Sequence, residues 1–217
     1  MNCPICKSFK IKKILKHNLN LSNTSGPEFI YLADFFSCKE CFHVWYLVDG
    51  EQIDDKKLTT YYSNKKYNFS NISKDDLHYK SLTKIIKFIE SLIDINLSQK
   101  LNILEVGGGD GAFAYAMKKK FNINNYTILE IGNFKQNNEV ANYVNKIEDL
   151  KFNYFDLFIM RHTLEHVKKP IEFLDLFSPF LKNKSKFYIE VPCWSLPYLK
   201  VDEINPEHLH HFTHSSL

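Results

Sequence analysis

Apolar positions along the chain change period, and the change divides the sequence. Near the N-terminus, "FKIKKILKHNLN" and "EFIYLADFFSC" have the β-branched and aromatic content of strands. "LSNTSGP" between them supplies turn residues, so two strands joined by a turn are expected. Residues 51–73 are polar and tyrosine-rich ("TTYYSNKKYNFS") and read as a connector, with Tyr61, Tyr62 and Tyr67 expected to pack on the main domain. From Ser73 the pattern is helical. Ser73 is a good N-cap, Asp75 and Asp76 suit the positive end of the helix dipole, and Leu82, Ile85, Ile86, Ile89, Leu92 and Ile93 share one face. Short apolar runs then alternate with helical or mixed stretches, predicting strands over 101–106, 125–131, 155–160 and 185–191 and a weaker one near 141–145. Strands interleaved with helices imply right-handed crossovers and a mostly parallel sheet. The expected class is α/β, with a module at 1–50, a connector at 51–73 and a main domain at 74–217.

Composition narrows this only slightly. The 217 residues are 44% apolar and 24% charged, enough for one medium domain and a small module. A net charge of +3 is too weak to argue for nucleic acid or an anionic membrane. Apolar runs fall short of a membrane span, and "MNCPICKSFK" lacks the apolar core of a signal peptide, so a cytoplasmic protein is expected.

The cysteines say more. Cys3-Pro-Ile-Cys6 and Cys38-Lys-Glu-Cys41 are two knuckles, each presenting two thiolates on a tight turn. Together they close a tetrahedron around zinc, with a β-hairpin absorbing the wide separation between them. Two disulfides or free thiols are the alternative, which is less expected in a reducing cytosol. Four thiolates leave no open position, so this zinc is structural. Cys193 has no sequence partner and reads as a small buried residue.

Four of the seven glycines fall in "LEVGGGDGAF", between a predicted strand and a predicted helix. That geometry puts a ligand at a helix N-terminus beside the carboxyl end of a parallel strand. Gly107-x-Gly109-x-x-Ala112 fits the dinucleotide fingerprint, with Glu130 placed to hold a ribose. The same stretch, as Glu105-x-Gly107-x-Gly109-x-Gly111, resembles the first motif of class I S-adenosylmethionine (SAM) methyltransferases. Two features favour the second reading. The glycine strand lies far into the chain behind a long helix. "YFDLFIMRHTLEHVKKP" and "LKNKSKFYIEVP" also resemble that family's fourth and fifth strands with their following turns.

The resemblance covers about residues 75–217. It implies a Rossmann-like SAM-methyltransferase sheet that is C-terminally short, lacking the usual last two strands, beside a small zinc-ribbon module. It implies that Glu105, Gly107, Gly109 and Gly111 line the methionyl end of the cofactor and that Glu130 takes the ribose hydroxyls. Glu148 falls where the adenine pocket lies, and Arg161 and His162 leave the fourth strand beside the site. Glu165 and His166 are expected to fasten the following helix. The incomplete edge implies self-association, because an unpaired apolar strand seeks a cover.

The order of cysteine knuckles, tyrosine connector, SAM domain and Glu-His-Leu segment resembles the sugar C-methyltransferases, which act on nucleotide-linked keto-sugars. On that resemblance His208 is the general base and Glu207 its neighbour, in "NPEHLHHFTHSSL". Phe212 and Thr213 match the family pattern, while Asn205 stands where it has tyrosine. His210 is read as bland, in a loop leading into a helix. C- and O-methylation of a small cell-surface precursor both remain open. So do two other classes: an RNA methyltransferase with a zinc knuckle, and a non-catalytic SAM-fold partner subunit.

Overall fold

The computed structural model describes residues 1–21, 29–53, 77–92, 100–132, 136–194, 204–205 and 207–217. Most of the connector, with its three tyrosines, and the expected cap at Ser73 lie outside these residues. The chain separates into two compact units. One comprises Met1–Lys65, His162–Leu176 and Val191–Leu217, and the other Lys66–Arg161 and Phe177–Glu190. This grouping differs from a continuous 74–217 domain: the turn after the fourth parallel strand and the C-terminal segment group with the cysteine module.

The first unit is built on an antiparallel sheet in the order β1-β2-β3-β9. β1 (Ile11–Leu21) and β2 (Phe29–Cys38) form the expected hairpin, and β3 (Val44–Val48) follows the second knuckle. The short strand β9 (His210–His211) pairs with Trp45 and Val44 of β3. Here the expectation of a helix after the C-terminal histidines is corrected. Leu209 to Phe212 are all buried, and pairing with β3 satisfies the strand's backbone. Leu19, Ala33, Phe35, Val44, Tyr46 and Leu209 make the apolar core of this sheet.

The second unit holds a fully parallel sheet in the order β6-β5-β4-β7-β8. Its strands are β4 (Leu101–Val106), β5 (Ile123–Leu129), β6 (Asn142–Val144), β7 (Phe155–Arg161) and β8 (Leu181–Glu190). Numbered from β4, that is the doubly wound order 3-2-1-4-5, with the switch point at β4. All the residues of β4 are buried, as a central strand covered on both faces requires. Helix α1 (Leu77–Leu92) buries Leu82, Ile86 and Ile89, the predicted face, in one cluster with Phe113 and Met117 of α2 (Ala112–Lys120). Each such side chain contributes roughly 1.5–3 kcal/mol by leaving water. Helix α3 (Pro170–Asp175) belongs to the first unit and starts on a proline at N1.

β8 differs from its prediction. It begins at Leu181, so Lys182, Lys184 and Lys186 lie in the strand, and only Phe187 is a large exposed apolar side chain. Lysines on an outer strand discourage edge-to-edge pairing.

Candidate functional site

In the second unit the glycine loop leaves β4 at the switch point. Gly107, Gly109 and Gly111 have φ of 75°, 57° and 83°, conformations that side chains with a Cβ rarely adopt. A Cβ on Gly111 would lie 2.5 Å from the Tyr143 hydroxyl. The turn thus uses both properties of glycine, left-handed backbone and close approach.

Two carboxylates organise this loop. Glu130, just past β5, accepts from Gly109 N–H at 2.9 Å and Gly132 N–H at 2.6 Å. Glu105 lies beneath the loop, fully buried, and accepts from the Tyr126 hydroxyl at 2.8 Å. Burial pushes its carboxyl up to about 7, against the Tyr126 hydrogen bond and the Arg161 charge, which act to lower it. Glu105 therefore supports the loop from below, and Tyr126 is a partner that the sequence pattern did not single out.

Arg161, at the end of β7, donates to both oxygens of Glu190 on β8, at 2.8 and 3.3 Å, and lies 4.4 Å from the Phe113 ring centroid. The Tyr188 hydroxyl donates to the same Glu190 carboxylate at 2.9 Å. Glu148 is exposed in a turn after β6. The predicted cofactor residues of this unit are thus the loop with its two carboxylates, Arg161 paired with Glu190, and the exposed Glu148.

In the first unit the four predicted cysteines converge. Cys3 and Cys41 sulfurs lie 3.7 Å apart and Cys6 and Cys38 sulfurs 3.5 Å, and all are free thiols. Sulfurs held at about 2.3 Å from one zinc in a tetrahedron lie about 3.8 Å apart, so the donor set fits that ion. Burial raises the Cys3 and Cys41 thiols. For Cys38 burial also acts upward, but the Cys41 and Glu40 amides and the Cys6 thiol outweigh it and bring it down to about 7. Cys193, expected to be buried, is exposed, with its sulfur 3.6 Å from His214 Nδ1.

The C-terminal histidines pack against this module. The Thr213 hydroxyl donates to the Cys41 carbonyl at 3.1 Å. His210 Nε2 lies 3.0 Å from the Lys168 carbonyl, which can only accept, so that nitrogen carries the proton. His210 Nδ1 then accepts from His43 Nε2 at 2.9 Å. Burial lowers His210 to about 4 and His211 to about 3, so both stay neutral. His210 is a satisfied core histidine.

His208 has different company. Its Nε2 accepts from Asn205 Nδ2 at 3.1 Å, and burial first, then the nearby His166, lowers it to about 4. Glu207 is buried, and its carbonyl accepts from His166 Nδ1 at 2.9 Å. Glu165 Oε1 lies 3.8 Å from His166 Nε2, 3.9 Å from His208 Nε2 and 3.7 Å from His162 Nδ1. His162 is itself exposed, on left-handed backbone with φ of 49°. Glu165 and His166, expected to fasten α3, instead gather around His208. The two Glu-His pairs, Glu165-His166 and Glu207-His208, were the signal available in the sequence, but their meeting needed the fold.

The family model described as "Methyltransferase domain" matches residues 77–217. The chain belongs to that family. It is a SAM-dependent methyltransferase on a Rossmann-like sheet. No curated protein matches the sequence. Among solved structures, the methyltransferase resembles a complex of the Haloferax volcanii Trm112 methyltransferase activator with its candidate methyltransferase: 13% identity, 64% of this chain and 68% of that one, TM-score 0.49. YcgJ from Bacillus subtilis matches at 18% identity over 64% of each chain, TM-score 0.47. The plantazolicin methyltransferase BpumL, solved with SAH and a pentazolic desmethylPZN analog, matches at 19% identity over 63% of this chain and 52% of that one, TM-score 0.41.

Proposed function

We propose that this methyltransferase acts on a small molecule, a nucleotide-linked sugar or another cell-surface glycan precursor, at carbon or oxygen. Support comes from the Glu207-His208 pair with Phe212 and Thr213 after the fifth parallel strand, behind a cysteine module. In this reading SAM supplies the electrophilic methyl of its sulfonium. The chain's own work is to hold the cofactor, align the acceptor and remove its proton. Gly107, Gly109 and Gly111 let the cofactor approach the backbone. Glu130, already oriented by two amides, has acceptor capacity left for the ribose hydroxyls. Glu105 sets the loop from below, while Arg161, His162 and Glu148 are proposed cofactor neighbours. His208 is the proposed base. Its neutral imidazole has the Nε2 lone pair that a base needs, and Asn205 orients the ring.

The four cysteines hold structural zinc in this proposal, supported by the sulfur separations. Self-association through the exposed Phe187 end of β8 and a cytoplasmic location belong to the same reading. In the described residues no helix is long and apolar enough to cross a membrane. The deciding experiment is a screen of nucleotide-linked sugars and structured RNA with radiolabelled SAM. Label on a sugar supports the reading, and label on RNA alone replaces it with the RNA class.

A further inference from the structure

We propose that Glu165, His166 and His208 form a second metal site, for a divalent ion of the zinc class, separate from the four cysteines. The starting point is Glu165, which is 1% exposed and accepts no hydrogen bond at either carboxylate oxygen. A buried carboxylate in that condition is costly, and such groups in folded proteins normally have a partner. What surrounds it are imidazole nitrogens, at distances too long for hydrogen bonds.

The tautomers explain why no proton bridges the gap. His166 gives its Nδ1 proton to the Glu207 carbonyl, so in the neutral ring Nε2, 3.8 Å from Glu165 Oε1, is the nitrogen that carries the lone pair. His208 Nε2 accepts from the Asn205 amide, whose orientation is set because Asn205 Oδ1 accepts from Glu207 N–H at 3.0 Å. His208 Nε2 is therefore also unprotonated. Two nitrogen lone pairs and a carboxylate converge on one point with no hydrogen between them. A cation reconciles such a set.

The geometry is close to what a cation needs. One ligand atom from each residue can be chosen so that all lie within 4.8 Å of one another. Neighbouring ligands of a tetrahedral ion with bonds of ~2.1 Å are about 3.4 Å apart. The observed 3.8 and 3.9 Å therefore require a contraction of about half an ångström, with Asn205 turning off His208. The His166 Nδ1–H bond to a backbone carbonyl is the outer support that ligating histidines usually have. Two imidazoles and a carboxylate suit zinc-class ions over magnesium or calcium. Three protein ligands leave a coordination position open, unlike the closed cysteine site.

This site does not rest on the assignment of the acceptor. It does bear on His208, because a bound ion takes the same Nε2 lone pair that a proton would. The test needs neither SAM nor acceptor. The full chain, saturated with zinc and freed of excess by gel filtration, should carry two zinc ions, and the Glu165→Gln/His208→Gln double variant should carry one. Glu165→Gln and His208→Gln should each lower the affinity for one ion by more than the roughly 10–100-fold that loss of an outer partner costs. Cobalt substitution checks folding: thiolate charge-transfer absorption retained in these variants shows that the cysteine site is intact. A wild-type stoichiometry of one, the single ion giving thiolate charge-transfer absorption on cobalt substitution, overturns the proposal. So does a second ion held with unchanged affinity in both Glu165→Gln and His208→Gln.

Discussion

The two units bury different kinds of side chain. The parallel-sheet unit hides Ile103, Met117, Phe158 and Ile159, and its few buried charges, Glu105 and Glu130, sit at one loop. The cysteine unit hides thiols and imidazoles: Cys3, Cys38, Cys41, His43, His210 and His211 are all buried. The first kind of core holds itself together by excluding water. The second has ligand atoms where apolar atoms would otherwise be, and it draws on three separate stretches of chain. Loop closure costs entropy that a small apolar core hardly offsets, so this unit should depend on its ions.

The largest expected effect tests that dependence. Structural zinc sites contribute about 10–16 kcal/mol to folding in small modules. Chelation, or Cys3→Ser with Cys38→Ser, should unfold the cysteine unit while leaving α1 and β4 protected. The chain's two tryptophans, Trp45 and Trp194, both lie in that unit, so fluorescence follows it selectively and hydrogen exchange of β4 amides follows the other. Loss of both signals together would erase the contrast between the units.

A smaller effect is expected at His208. With a confirmed acceptor, His208→Ala should lower turnover by roughly 10²–10⁴ with SAM affinity almost unchanged, because the proposed base touches the acceptor. His210→Ala should instead cost stability of the cysteine unit, since it removes the link between Lys168 and His43. Turnover that survives His208→Ala moves the base elsewhere, with His162 next in line.

Glu105 probes the other unit through pH. The folded carboxyl holds its proton more tightly than the unfolded chain does, so its contribution is fully present below pH 4.5 and is lost as pH rises through about 7. The loss amounts to up to about 3 kcal/mol, at 1.36 kcal/mol per unit. Glu105→Gln keeps an acceptor for Tyr126 but removes this dependence. β4 amides should therefore exchange more slowly in the variant than in wild type at pH 8 once intrinsic rates are corrected, with the gap narrowing at pH 5. A constant gap would place the titration elsewhere.

The smallest effect concerns cofactor affinity. Glu130→Ala should weaken SAM binding by about 1–3 kcal/mol, the scale for hydrogen bonds to a charged group. Part of this arises because Gly109 and Gly132 N–H lose their acceptor. Calorimetry checks it, and unchanged SAM affinity in Glu130→Ala would take the ribose role away from Glu130.

Much of the parallel unit was legible along the chain because its signals are local. A buried strand is a short apolar run, a glycine turn needs its own glycines, and an amphipathic helix repeats within a few residues. β4 and the buried positions of α1 fall where the periods put them, and the four cysteines could be paired from spacing alone. Boundaries were less legible: β8 starts at Leu181 because lysines are acceptable on an outer strand, which an apolar-run criterion does not anticipate. The use made of the C-terminal histidines was not in the sequence at all. Whether His210 is core, His208 a base or ligand, and Glu165 a helix fastener or a buried carboxylate depends on which distant segment lies beside each. Imidazole and carboxylate take their protonation, tautomer and role from neighbours within a few ångströms, and only the folded chain brings Glu165, Glu207 and His208 together.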